Sequence, residues 1–241
     1  MLDELKLAAR ELVGELSSLE FSEPVTHVYN PLVYAWQAHA QYLEKYAQGQ
    51  KRVLFLGMNP GPWGMAQVGV PFGEIELVSG WMGIKAPVDK PENEHPKRPI
   101  QGFDCPRSEV SGKRLWGLFA EEYPDAKDFF ADHFVTNFCP LVWMGETGKN
   151  ITPDKLPKAE SAPVDEVCRK HLAKQIELLE PEFLIGVGAF AEKQLKATMK
   201  EYFPDDKRFI GKVLHPSPAS PAANRGWAEA ATKQLKEQGI W

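Results

Sequence analysis

The sequence predicts an α/β fold: a central four-stranded, mostly parallel sheet with helices on both faces, in a single domain over residues 1–241. Three observations predict it. Short apolar runs alternate with helix-length amphipathic stretches, as in βαβ units. The runs Val53-Leu54-Phe55-Leu56 and Phe183-Leu184-Ile185-Gly186-Val187 lack polar alternation, which suits strands covered on both faces. Polar strings follow Leu56, Val135 and Leu214, and active sites of such sheets lie beyond the carboxyl ends of the strands.

Each element has its own signal. Leu2, Leu5, Ala9, Leu12, Leu16 and Leu19 recur at helical spacing and predict a helix over 2–19. A second helix is expected from Pro31, with Trp36, His39, Leu43 and Tyr46 on one face. The first strand, 52–57, runs into Asn59-Pro60-Gly61-Pro62. Residues 60–113, rich in Gly and Pro, read as a long ordered loop region with short helical pieces. A helix is expected from Ser111 through Trp116, a strand over 133–137, and a polar surface loop over 145–164. Asp165 to Glu180 reads as a helix stopped by Pro181, followed by a strand over 183–188, a helix over 189–200 and a strand over 209–214. Ser220 is expected to cap the last helix, with Pro221 at its first position.

Composition narrows the function. A chain of 241 residues can bury a core without covalent staples. Cys105, Cys139 and Cys168 form no CxxC pair; they fit neither a disulfide framework nor a zinc or iron–sulfur site, and read as reduced thiols. Asp3, Glu4, Arg10 and Glu11 interrupt the apolar runs at the N-terminus, so no secretion signal is expected, and no run is long enough to span a membrane. The expected location is the cytoplasm of a bacterium or the nucleus of a eukaryote. The net charge of −5 requires any nucleic-acid face to be local.

Three strings carry the chemistry. In Gly57-Met58-Asn59-Pro60-Gly61-Pro62, continuing to Phe72-Gly73-Glu74, Asn59 offers a neutral amide to orient a water and Phe72 a face on which a base stacks. The same string also reads as a rigid strand-to-helix turn with Phe72 in the core. In Thr136-Asn137-Phe138-Cys139-Pro140, Asn137 can donate and accept at once, as reading the edge of a planar imide requires, or it can cap a turn. His215-Pro216-Ser217-Pro218-Ala219-Ser220-Pro221 places a histidine at a strand end before a stiff protruding loop, a position that also suits a histidine held only for structure by hydrogen bonds. Behind it, the helix start at Ser220 has free N–H groups suited to a phosphate.

Taken together the strings resemble the single-strand-selective monofunctional uracil-DNA glycosylases of the uracil-DNA glycosylase superfamily. Gly57-Met58-Asn59-Pro60-Gly61-Pro62 is similar to that family's first motif. His215-Pro216-Ser217-Pro218, with Asn224, Gly226 and Trp227, is similar to its second. Gly69-Val70-Pro71-Phe72-Gly73-Glu74 and Ser108-Glu109-Val110-Ser111-Gly112 extend the resemblance over residues 50–230.

The resemblance implies a uracil-DNA glycosylase-like fold and a role for each position. Asn59 places the attacking water, and His215 stabilises negative charge growing on the base O2. Phe72 stacks under the uracil, Asn137 reads its Watson–Crick edge, and backbone at Met58 adds a hydrogen bond. Gly61 leaves room beside C5 for 5-hydroxymethyluracil. The loop Pro216, Ser217, Pro218, Ala219, Ser220 wedges into DNA as the base flips. Vertebrate members carry a basic residue where this chain has Ala219, which implies a weaker grip on double-stranded or product DNA. Ser111, Lys113, Arg114 and Arg225 are expected on the DNA face, with Lys97, Arg98 and Arg107 beside them.

The residue types suit this reaction. Uracil leaves as an anion, so the enzyme must stabilise charge on the base, a task worth about 2.7–4 kcal/mol for one aimed donor. No lysine or N-terminal amine lies in these motifs, which argues against a Schiff-base lyase. No metal or cofactor is expected. The expected partner is single- and double-stranded DNA containing uracil or modified uracil, bound by a monomer with no membrane association. The alternatives are broader specificity for xanthine or hypoxanthine, or an inactive damage-binding module. A nucleotide hydrolase is disfavoured because GxxxxGK[ST] and GxGxxG are absent. The iron–sulfur branch of the superfamily needs a fourth cysteine.

Overall fold

The computed structural model describes residues 1–241. Helix α1 (Leu2–Ser17) buries Leu5, Ala8, Ala9, Leu12 and Leu16 along one stripe. After strand β1 (His27–Tyr29), Asn30 accepts a hydrogen bond from the Leu32 N–H and starts α2 (Pro31–Tyr34). The helix expected from Pro31 is in fact two, because the chain breaks at Ala35 before α3 (Trp36–Tyr46). Strand β2 (Val53–Gly57) is buried at every position. Completely covered side chains such as Phe55 and Leu56 each contribute about 1.5–3 kcal/mol. The long segment that follows holds one helical turn, α4 (Met65–Val68), and otherwise turns and short irregular helices.

Helix α5 (Val110–Glu122) is followed by α6 (Ala126–Asp132), capped by Asp125, and by β3 (His133–Asn137). Two short strands come next, β4 (Val142–Met144) and β5 (Asn150–Ile151). Helix α7 (Lys158–Leu179) begins seven residues before the expected Asp165 and carries Pro163 inside it. That proline forfeits one i→i−4 bond near the helix start, a cost the rest of a 22-residue helix absorbs. Strand β6 (Phe183–Val187), α8 (Ala189–Tyr202) and β7 (Phe209–Val213) follow as expected. The expected last helix is split. Ser220 caps only the single turn α9 (Pro221–Asn224), and Gly226, at φ +137°, turns the chain into α10 (Trp227–Glu237).

The central sheet has the order β3-β2-β6-β7, and every neighbouring pair is parallel. A second, antiparallel sheet β1-β4-β5, absent from the sequence reading, lies apart from it. Its strands have two or three residues each, too short to show a period of two. It claims part of the 145–164 segment expected to be a plain surface loop. No helix is long and apolar enough to cross a membrane. The three cysteines are buried and unpaired.

Candidate active site

Parallel pairing puts Gly57 at the end of β2 directly beside Asn137 at the end of β3. Gly57 is where the pocket is made. A Cβ there would lie 2.2 Å from Asn137 Oδ1 and 2.6 Å from Phe72 Cε2, so only glycine lets the amide and the ring converge. Phe72 itself has φ +53°, a left-handed conformation rare for a bulky residue. Its backbone is held against α5 at Gly112, where a Cβ would stand 2.0 Å from the Phe72 carbonyl oxygen. The Trp116 indole N–H also donates to the neighbouring Pro71 carbonyl at 3.0 Å. Strain of this kind clusters at ligand clamps.

A cavity of about 380 Å³ opens here, and its wall includes Met58, Asn59, Gly61, Phe72, Asn137 and His215. All six residues expected to meet the base or do the chemistry therefore share one space. A larger cleft of about 530 Å³ runs between α1 and α7, but it contains none of the motif residues.

Hydrogen bonding fixes what each group offers. Asn59 Nδ2 donates to the Leu141 carbonyl at 3.0 Å and leans toward that of Pro60 at 3.4 Å. Two carbonyl acceptors settle which end of the amide is nitrogen. Oδ1 is left to accept from a water, which turns that water's lone pair outward. The Ser217 N–H donates to His215 Nδ1 at 3.1 Å. That nitrogen must then be unprotonated, so the neutral ring carries its proton on Nε2 and donates there. Burial pushes the His215 pKa below its ordinary value and keeps the ring neutral. Gly188, at φ +94°, lets His215 pack against the end of β6; a Cβ there would be 3.1 Å from the His215 Cβ. Asn137 Nδ2 spends one hydrogen on Met65 Sδ at 3.3 Å, which leaves Oδ1 and the second hydrogen for a ligand. The Met58 carbonyl is taken by the Cys139 N–H at 3.0 Å.

This arrangement can hold a planar imide, stack it, place a water and donate to a developing oxyanion. The uracil DNA glycosylase superfamily model matches residues 44–236. The chain is 45% identical over 238 residues to the mouse single-strand selective monofunctional uracil DNA glycosylase, covering 99% of this chain and 83% of the mouse protein. It is 47% identical over 229 residues to the Bos taurus protein of the same name, covering 95% of this chain and 84% of that one. The chain belongs to the uracil-DNA glycosylase superfamily. Among solved structures, the crystal structure of Pedobacter heparinus SMUG2 shares the fold, with a TM-score of 0.64 over 97% of this chain and 99% of that one, at 18% identity.

The loop after His215 is a braced projection in this superfamily member. Pro218 and Ala219 are exposed at its tip, whereas Pro216, expected in the wedge, is buried at its base. Asn224 Nδ2 donates to the Pro218 carbonyl at 2.9 Å, and the Ala219 N–H donates to Ser217 Oγ at 3.1 Å. Ser220 Oγ accepts from the Ala223 N–H at 3.3 Å, so one of the N–H groups expected to face a phosphate is already capped.

Arg114, expected on the DNA face, is engaged within the protein. Its guanidinium donates to the Pro216 carbonyl at 3.0 Å, to that of Ser217 at 3.4 Å and to Asn224 Oδ1 at 2.8 Å. It ties α5 to the loop that carries His215. Lys97, Arg107, Lys113 and Arg225 are exposed and Ser111 lines the cavity. Each phosphate these cations meet contributes about −0.9 to the slope of log affinity against log salt. Binding to duplex DNA is expected to weaken with salt despite the acidic net charge, and Lys113→Ala with Arg225→Ala is expected to flatten the slope. A wild-type slope of zero in fluorescence anisotropy would reduce these cations to a solvated face.

Sequence reasoning missed several wall residues. Trp63 lines the cavity with the Arg98 and Arg107 guanidinium carbons 5.2 and 5.0 Å from its ring centroid. Asn150 and Thr152 arrive from β5 and the residue beyond it, and the Asn150 Oδ1 has no hydrogen-bond partner. Glu109, inside a string noted only for resemblance, also faces this space. Gly61 differs in its neighbour: a Cβ there would meet Glu109 Oε2 at 2.9 Å. Trp63 directly follows Pro62 of the first motif and Glu109 lies in the Ser108–Gly112 motif, so adjacency to a motif was their only signal; Asn150 and Thr152 come from a segment far from every motif.

Proposed function

We propose that this chain is a monofunctional uracil-DNA glycosylase that takes uracil out of the DNA stack and hydrolyses its glycosidic bond, leaving an abasic site. One observation carries the reading: a single cavity at the strand ends holds a water-orienting acceptor on Asn59, a neutral Nε2–H donor on His215, and Phe72 with Asn137 to grip an imide. The base is stacked on Phe72, and its N3–H and O4 meet the Asn137 amide. As the C1′–N1 bond stretches, its electron pair leaves on the base, and charge gathers at O2 where His215 donates. Water held by Asn59 then bonds to C1′. The relatives' names support uracil in DNA as substrate. Action on both single and double strands, entry of 5-hydroxymethyluracil beside Gly61, and function as a monomer are finer parts of the proposal.

The test uses purified protein with single- and double-stranded oligonucleotides carrying uracil or 5-hydroxymethyluracil, in EDTA. Both bases are expected to be released in EDTA, with strand breaks appearing only after alkali. Breaks without alkali would indicate a lyase, and loss of release in EDTA would indicate a metal; either result overturns the mechanism.

A further inference from the structure

Of the residues that wall the base cavity, only Glu109 and His215 can ionise. Glu109 is half-buried at the start of α5, where Oε1 accepts from the Ser111 N–H at 3.2 Å and caps the helix. Its other oxygen is pressed against the turn that follows Asn59. A Cβ on Gly61 would lie 2.9 Å from Oε2, and one on Gly64 would lie 2.8 Å from Glu109 Cγ. No cation pairs with it within the chain. A helix cap needs one oxygen and no charge. A cavity that receives a polyanion gains nothing from an unpaired carboxylate unless positive charge appears there.

Positive charge does appear in the proposed reaction. The C1′–N1 bond breaks with both electrons leaving on the base, and the deoxyribose is left as an oxocarbenium ion. Water oxygen then bonds to C1′, and the proton it sheds goes to the departing uracil anion. We infer that Glu109 supplies the fixed negative charge that stabilises this cationic sugar, complementing the neutral His215 donor that serves the base. The inference rests on the glycosylase reading above. It also answers a gap in that reading: Asn59 is uncharged, so it orients the water without balancing the charge on C1′.

Burial raises the Glu109 pKa above the usual carboxylate range, opposed by its bonds to Ser111. The groups around it are few. The 61–64 turn is uncharged, Arg107 lies over the Trp63 ring, the buried Glu74 accepts from the hydroxyl of the adjacent Ser108 at 2.9 Å, Lys113 and Arg114 follow on α5, and His215 shares the cavity. As pH falls through the raised pKa, the carboxyl is protonated and its charge is lost. A Gln at this position has no charge to lose at any pH.

The experiment compares wild type with Glu109→Gln, which keeps a cap acceptor, and Glu109→Ala, which does not. At neutral pH, Glu109→Gln is expected to excise uracil at least about tenfold more slowly in single turnover, or about 1.4 kcal/mol in barrier. Its melting temperature should stay close to wild type. The ratio of wild-type to Glu109→Gln rates should shrink toward one as pH falls, a comparison from which the titration of His215 cancels. In equilibrium binding, wild type should prefer an oligonucleotide with a cationic pyrrolidine abasic analogue over one with neutral tetrahydrofuran, and Glu109→Gln should lose that preference. A wild type that excises uracil, beside a Glu109→Gln protein with the same rate and the same cation preference, would overturn the inference and leave the glycosylase reading intact. A rate loss seen only in Glu109→Ala, with lowered melting temperature, would reduce Glu109 to a helix cap. A wild type without excision would overturn the reading on which both depend.

Discussion

Alanine in place of His215 is expected to slow single-turnover excision of uracil by on the order of 10²–10³-fold, the cost of losing one aimed donor to a developing oxyanion. Asn59→Ala is expected to cost about 10²-fold, because the water loses the acceptor that orients it. Both variants should bind uracil-containing DNA nearly as wild type does, since neither group is required to hold the base in the ground state. His215 has two structural ties, the Ser217 N–H and the packing at Gly188, so its variant needs a melting curve beside the kinetics. A variant excising at the wild-type rate would remove the role assigned to the residue it replaces. The profile with pH should also follow the ring. Below its depressed pKa, Nδ1 would gain a proton and lose the hydrogen bond from Ser217, which loosens the loop that holds His215.

The second large effect is expected from a single added methyl group. Gly57→Ala puts a Cβ 2.2 Å from the Asn137 amide oxygen and 2.6 Å from the Phe72 ring edge, separations that atoms cannot share. Both obstacles are side chains, so the strand can persist while the amide and ring are pushed aside. Overpacking of this kind costs about 1–3 kcal/mol of stability. Misplacing the gripping groups by about 1 Å costs about 10²-fold in rate. The expected result is a folded protein with excision lowered about 10²-fold and weaker binding to uracil-containing DNA. If Gly57→Ala excises uracil at the wild-type rate, the convergence of Asn137 and Phe72 at this glycine has no bearing on catalysis.

Much of the site was legible before the fold was known, because strand ends announce themselves. An apolar run that stops at Gly57 or at Asn137 marks where a buried strand leaves the core, and polar residues just beyond must face a crevice. Phe72 was ambiguous, since an aromatic side chain suits a core as well as a stacking face. Its positive φ and its place in the cavity wall decide in favour of the site, and neither can be read from residue type. Arg114 shows the opposite limit. In a basic cluster it reads as a phosphate contact, yet three acceptors on the 216–224 segment hold its guanidinium. Charge type was visible, but the partner lay about a hundred residues away.

By itself the sequence determined the parallel sheet, the order of its strands along the chain, and the residues Asn59, Asn137 and His215 at three strand ends. Local patterning suffices for these, because burial on both faces forces continuous apolar runs and their ends must be polar. Tertiary structure alone decided the rest. The second sheet is built from strands of two or three residues, whose pairing comes from distant partners rather than from any periodicity. Asn150 and Thr152 reach the cavity through that sheet, and Glu109 reaches it because Gly61 and Gly64 leave no side chain in its way. Such convergences depend on distances between segments, and a linear pattern carries no record of them.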